Sequence, residues 1–216
     1  MQILMLSGSR NREGRTAQAM KAIGKGVAKA GGNSEYIFLP ELSIERCRQC
    51  EQDGWGICRS EPRCIIEDDF DLVVSKLKMA DLVVFANPVY FFDLSESMRA
   101  FLDRLRRITP RPGPGSRRVG APSLPGVSPF MPPAGATPAI GVCLAGGGGR
   151  GAPNCCATLE QFLPECGFDV IDLIPLRRQN LEFKLTILEL TGEWLVTKPT
   201  SRQIGPPRES SIWFNV

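Results

Sequence analysis

Four of the chain's eight cysteines lie within CRQCEQDGWGICRSEPRC, spaced Cys47-x2-Cys50-x7-Cys58-x5-Cys64. Four thiolates in one loop can ligate a cubane 4Fe–4S cluster, whose ligand spacings vary. They can instead bind zinc through sulfur, although zinc ribbons usually pair two short CxxC knuckles and only one is present here. They can also stay free or form disulfides. Gly54, Gly56 and Pro62 let the loop wrap around a small centre, and Trp55 offers a cover against water. The chain has no histidine. Imidazole is therefore absent both as a ligand and as an acid–base group. No side chain is assigned a catalytic acid–base role.

Three further stretches have types and spacing suited to a ligand. SGSRNREGRTA (7–17) has small residues that let the backbone turn and aim N–H groups at an anion. Ser7, Ser9 and Thr16 add hydroxyls, and a following helix adds its positive N-terminal end. It matches neither the Walker pattern nor GxGxxG, and a solvated turn would read the same way. NPVYFFDLSESMRAFLDR (87–104) stops a strand at Pro88 and follows it with Val89, Tyr90 and Phe91. Such side chains suit a flat heterocycle, or simply cover the core. AGGGGRG (145–151) places Gly146, Gly147, Gly148 and Gly149 before a helix. Consecutive glycines cost conformational entropy and make sense where backbone must approach a ligand; the alternative is a flexible connector.

The elements that must position these stretches alternate. Strands are expected at 2–8, 34–40, 81–90, 139–147 and 168–176. Helical stripes fall between them: Met20, Ile23, Val27; Phe70, Val73, Val74, Leu77; Met98, Phe101, Leu102, Leu105, Ile108; and Leu159, Phe162, Leu163, Cys166. Asp68 and Asp69 are placed to cap the second helix, and Ser95 opens the third. Near-continuous apolar strands alternating with helices predict an α/β fold with a parallel sheet covered on both faces. Such sheets bind ligands beyond the carboxyl ends of their strands, where the three loops lie. A Pro/Gly-rich excursion spans 111–138, and one further helix is expected near 181–195. Trp213 and Phe214, in an otherwise polar tail, suggest docking on the body or on a neighbouring subunit. Cys143 and Cys166 read as small packing residues. The vicinal pair Cys155 and Cys156, just after the glycine loop, reads the same way, with a redox role as the alternative.

Length and composition fit one soluble domain: 216 residues, 43% hydrophobic, net charge +3. That charge gives no reason to expect nucleic acid. No apolar run approaches the roughly 20 residues that span a bilayer, so no membrane partner is expected. MQILMLSGS lacks a basic leader and runs directly into a strand, which predicts no signal peptide and a cytoplasmic location. Thiols are kept reduced there.

Taken together, the motifs resemble those of a known family. GSRNREGRT resembles the GSxRxxGxT-type phosphate loop of the flavodoxin-like NADPH-dependent FMN reductases, with Gly8, Ser9, Gly14 and Thr16 matching and the arginine displaced to Arg10 or Arg12. ANPVYFFDLSESMRAFLDR is similar to the segment that lines the isoalloxazine ring; Asn87 stands where Ser is commoner and Arg99 replaces Lys. LAGGGGRG resembles the glycine loop on the flavin's other side. The resemblance covers residues 1–176, leaving 177–216 as a C-terminal extension. It implies a flavodoxin-like three-layer sandwich with a five-stranded parallel sheet in order 2-1-3-4-5.

FMN is the implied cofactor and NAD(P)H the electron donor, with a small-molecule or protein acceptor and a homodimer or homotetramer. The resemblance assigns FMN to Ser7, Ser9, Arg10, Arg12, Gly14, Arg15 and Thr16 in the first loop. In the second it assigns Pro88, Val89, Tyr90 and Phe91, and in the third Gly146 to Gly149. Backbone N–H groups near Tyr90 and Gly147 are expected at the ring. The cysteine stretch resembles that of the family's iron–sulfur flavoprotein branch, CxxCxxC, a spacer, a fourth Cys and an acidic pair. Cys47, Cys50, Cys64, Asp68 and Asp69 match, whereas Asp53 occupies the third ligand position and Cys58 comes five residues later. A 4Fe–4S cluster on Cys47, Cys50, Cys58 and Cys64 is the implied centre, with zinc as the lesser alternative.

Overall fold

β-Branched and aliphatic runs with few charges build the strands. In a computed structural model describing residues 1–109 and 136–197, these are β1 (Gln2–Ser7), β2 (Asn33–Phe38), β3 (Leu82–Pro88), β4 (Thr137–Ala145) and β5 (Phe168–Arg177). Five helices alternate with them: α1 (Arg15–Lys29), α2 (Phe70–Met79), α3 (Glu96–Ile108), α4 (Ala152–Glu165) and α5 (Leu181–Thr197). The strands are parallel in the order β2-β1-β3-β4-β5, as the resemblance implied.

Alternation along each central strand divides the core. Leu4, Leu6, Val83 and Phe85 face α2, α3 and α4, packing with Phe70, Phe101 and Leu159. Ile3, Met5, Val84 and Val142 face the opposite way, onto Met20 and Ile23 of α1 and Leu188 and Leu195 of α5. The central strand β3 is buried at every position, as expected of a strand covered on both faces. Cys143 and Cys166 are buried core residues, as expected.

Two sequence expectations change. Thr137 and Pro138 open β4 rather than closing the 111–138 excursion. Pro138 is tolerated near the start of the strand, where its missing N–H costs least. The rest of that excursion, together with Trp213 and Phe214, lies outside the described residues. Asp69 occupies the cap position of α2 but makes no side-chain cap bond. Its carboxylate accepts from the Ser43 N–H at 2.7 Å, and Asp68 accepts from the Phe70 N–H at 3.0 Å.

Helices α1 and α5 cross at Gly26 and Gly192. A Cβ on Gly26 would meet the Glu189 carbonyl, and one on Gly192 the Ile23 carbonyl. Backbone cannot rotate aside as a side chain can, so the approach depends on both glycines. Gly192→Ala is expected to destabilise the protein by about 1–3 kcal/mol, as overpacking does. The check is a lower urea midpoint with unchanged slope.

Candidate functional site

The carboxyl ends of β1, β3 and β4 carry the three ligand-suited loops, and one buried side chain joins their bases. Asn87, fully buried at the end of β3, accepts from the Ser95 N–H at 3.2 Å and the Ser95 hydroxyl at 2.9 Å. Its amide donates to the Pro88 carbonyl at 2.7 Å and to Cys155 Sγ at 3.3 Å. Ser95 in turn caps α3 by accepting from the Met98 N–H at 3.4 Å, as expected. Gly8 completes the junction from the first loop. Its N–H donates to the Ala86 carbonyl at 2.9 Å and its carbonyl accepts from Ser97 at 3.3 Å. A Cβ at Gly8 would collide with the Ser95 hydroxyl and the Asn87 amide.

The first loop is held by its own short polar residues. Ser7 Oγ accepts from the Ser9 N–H at 3.1 Å, Ser9 Oγ from the Asn11 N–H at 3.3 Å, and Asn11 Oδ1 from the Glu13 N–H at 2.9 Å. The loop ends at Gly14, which begins α1 with no side-chain cap and no acidic residue in the first turn. The helix therefore presents its first N–H groups, with their positive field, without a protein anion to meet them. Thr16 is buried there, while Arg10 and Arg15 are exposed and have no ion pair among the described residues. Arg12 is committed elsewhere: it pairs with Glu41 at 2.7 and 2.5 Å and stacks 4.8 Å from the Phe38 ring centroid.

The second loop is a tight turn closed by reciprocal Tyr90 and Asp93 backbone bonds of 3.1 and 2.9 Å. Its central residues, Phe91 and Phe92, have φ of 49° and 68°. Left-handed geometry is costly for bulky residues and tends to persist at functional sites. The turn leaves Phe91 99% exposed and Tyr90 59% exposed. The Tyr90 N–H is already spent on Asp93, so the N–H groups available beside it are those of Phe91 and Phe92. Arg99 anchors the turn through Asp93 at 3.5 Å.

The third loop opens the edge. Cβ atoms at Gly146, Gly147 or Gly148 would meet nothing within 4 Å, so this backbone borders free space. The Gly147 carbonyl accepts from Gln179 at 3.2 Å, and Gly147 has φ 38°. Below it, Cys143, Cys155 and Cys156 are buried together. Hydrogen bonding to its thiol neighbours and burial push the Cys143 thiol up.

The cysteine stretch forms a second feature. Cys47, Cys50, Cys58 and Cys64 all border one hollow, together with Arg48, Arg104, Arg107 and Ile66. The thiols surround it without converging: among the described residues no three Cys, Asp or Glu side chains are grouped to hold one metal ion. All four are free thiols. Asp53, in the expected third-ligand position, pairs with Arg59 and accepts from the Trp55 N–H at 3.0 Å. Gly56 lies against Cys50, where a Cβ would sit 3.0 Å from Cys50 Cβ.

The ends of this loop are tied by a buried ion pair that the motif reading missed. Arg104 of α3 meets Asp68 at 2.6 Å, with side chains 1% and 5% exposed. Its other N–H groups donate to the Glu45 and Ile66 carbonyls, each at 3.2 Å, on either side of the cysteines. Phe70 lies 4.2 Å beneath the guanidinium. The sequence signal was the helical spacing of Phe101, Arg104 and Ile108, which sets a cation on an apolar stripe. Arg107, one turn on, donates to the Gly54 carbonyl at 3.0 Å and lies 4.1 Å from the Trp55 ring centroid. The Nε atoms of Arg104 and Arg107 are buried without a hydrogen-bond partner. Four thiols and unsatisfied cationic donors fit an anionic, sulfur-ligated group.

With this geometry in view, the relatives can be placed. The sequence pattern of the NADPH-dependent FMN reductases matches residues 1–174. The chain belongs to this family. An iron-sulfur flavoprotein of Methanocaldococcus jannaschii is 31% identical over 106 residues, covering 49% of this chain and 52% of that protein. One from Methanosarcina thermophila is 30% identical over 105 residues, covering 48% and 52%. The chain spans about half the length of the curated relatives it matches. An NAD(P)H:quinone oxidoreductase from Methanothermobacter marburgensis superposes with TM-score 0.60 at 16% identity, over 90% of this chain and 96% of that one. An archaeal flavodoxin gives TM-score 0.51 at 13% identity, over 92% and 100%. These two likenesses establish the flavodoxin-like fold.

Burial works to raise the Asp68 carboxyl, but Arg104 and the Glu45 and Phe70 N–H groups outweigh it and hold it below the usual carboxylate range. The stabilisation is complete above the unfolded value of about 3.9 and is lost as pH falls through the lower folded value. Pepsin cleavage within 45–66 is therefore expected to rise below about pH 4. Asp68→Asn strands a buried cation, at a cost of about 3–5 kcal/mol, and is expected to cause the same cleavage-prone loosening at neutral pH, checked with a neutral protease.

Proposed function

We propose that this chain is an FMN-dependent oxidoreductase that takes electrons from NAD(P)H and holds a 4Fe–4S centre on Cys47, Cys50, Cys58 and Cys64. The observation that supports the flavin reading is the Asn87 junction, which ties Ser95 at the start of α3 to Cys155 of α4 with Gly8 held beside it. The loops rising from it offer an uncapped helix start, a strained aromatic turn and an open glycine edge. When bound, FMN supplies the hydride chemistry. Ser9, Thr16, Gly14 and the first N–H groups of α1 receive its phosphate, with Ser7 shaping the turn. Arg10 and Arg15 supply charge, whereas Arg12 acts through Glu41 to fix the loop. Pro88, Val89, Tyr90 and Phe91 hold one side of the ring, and Gly146, Gly147 and Gly148 let backbone approach the other. Gly149, expected beside them, is buried against Arg177 and Gln179 and turns the chain instead.

No described side chain needs to act as a general acid, which agrees with a chain lacking histidine. The iron–sulfur part rests on the four thiols at one hollow and on the names of the relatives. The same reading includes a small-molecule or protein electron acceptor, a homodimer or homotetramer, and a reducing cytoplasmic setting. Among the described residues no helix is long and apolar enough to cross a membrane.

Anaerobic purification is expected to give about one FMN per chain, flavin absorbance that bleaches with NAD(P)H, and about four iron and four sulfide. A colourless protein with stoichiometric zinc would overturn both parts. Flavin that stays oxidised with NAD(P)H but responds to a reduced protein would make the chain an electron carrier. Gly8→Ala, which wedges a methyl into the Asn87–Ser95 contact, is expected to weaken FMN binding at least about tenfold in a fluorescence titration.

A further inference from the structure

We propose that Arg107 sets the reduction potential of the sulfur-ligated centre in the cysteine hollow, with Arg104 as the residue that positions the loop around it. This rests on the iron–sulfur reading above. Three arginines border the hollow and no carboxylate does. Two of them are neutralised nearby: Arg48 by Glu45 at 2.8 Å and Arg104 by Asp68 at 2.6 Å, with Arg104 also interacting with the Cys64 thiol. Arg107 has no carboxylate partner among the described residues. Two acids of the loop are also engaged, Asp53 with Arg59 and Glu61 with Arg63.

Arg107 is placed to keep that charge close. Its guanidinium lies against the Trp55 ring, and it holds the Gly54 carbonyl in the middle of the loop. Its Nε is buried and unsatisfied, which leaves an unspent donor on a side chain that borders the hollow. Four thiolates around a 4Fe–4S core carry net negative charge, and one-electron reduction adds one more. A fixed cation bordering the centre stabilises the reduced form more than the oxidised form. It therefore raises the midpoint.

The test uses the full chain, reconstituted anaerobically with ferrous iron and sulfide, and follows the centre by electron paramagnetic resonance during dithionite titration. Arg107→Gln keeps a donor for Gly54 while removing the charge. It is expected to shift the cluster midpoint negative by at least a tenfold change in the reduction equilibrium, about 59 mV for one electron. The flavin midpoint, read in the same titration, should not move. Arg107→Lys should restore most of the shift. Full iron loading with an unmoved midpoint in R107Q overturns the proposal while leaving the iron–sulfur reading intact, as does an equal shift in R107K and R107Q. If R107Q does not load iron, Arg107→Met is read in its place. A negative shift of at least tenfold that R107K does not show supports the proposal. An unmoved midpoint overturns it, as does a failure to load iron in both neutral variants while R107K loads with a shifted midpoint. Wild-type protein that binds FMN yet takes up no iron or sulfide overturns the iron–sulfur reading, and this proposal falls with it.

Discussion

Arg104 is a cation buried almost completely inside the protein, and much of the local architecture follows from satisfying it. A guanidinium in a poorly hydrated site needs a counter-charge and acceptors for its planar donors. Asp68 provides the charge, and the Glu45 and Ile66 carbonyls provide acceptors. Because those carbonyls flank the cysteine stretch, meeting the needs of one side chain closes a loop of some twenty residues. The acidic pair after the last cysteine is thereby explained: Asp68 serves Arg104 and Asp69 ties down Ser43.

Helix α3 links the two features. Its N-terminus is capped by Ser95, which is bound to Asn87 at the junction of the three flavin-suited loops. Its last turns carry Arg104 and Arg107 to the cysteine hollow. The helix is rigid between them, because Met98, Phe101, Leu102, Leu105 and Ile108 are buried along one face. Two sites on one packed helix hold a fixed relation to each other, a useful property where electrons must pass between centres.

The order and type of the elements were legible because a buried parallel strand and an amphipathic helix leave different periods in the chain. The α3 stripe and the near-continuous apolar runs of β1 and β3 are direct examples. Polar residues with tertiary partners were not legible. Asn87 could be noted as an unusual residue in its motif, but its four hydrogen bonds reach residues up to 68 positions away. Arg12 fits a phosphate loop by position, yet Glu41, 29 residues on, claims it.

The sequence by itself determined the doubly covered parallel sheet, the three loops at its carboxyl edge and the presence of four thiols in one stretch. Those depend on local periodicity, chain direction and covalent order. Tertiary structure alone decided which polar groups are already satisfied. It gave Arg12 to Glu41, Asp53 to Arg59 and the Tyr90 N–H to Asp93, and left Arg107 uncompensated at the hollow among the described residues. Charge pairing and desolvation depend on distance in space, and sequence spacing carries little of that information.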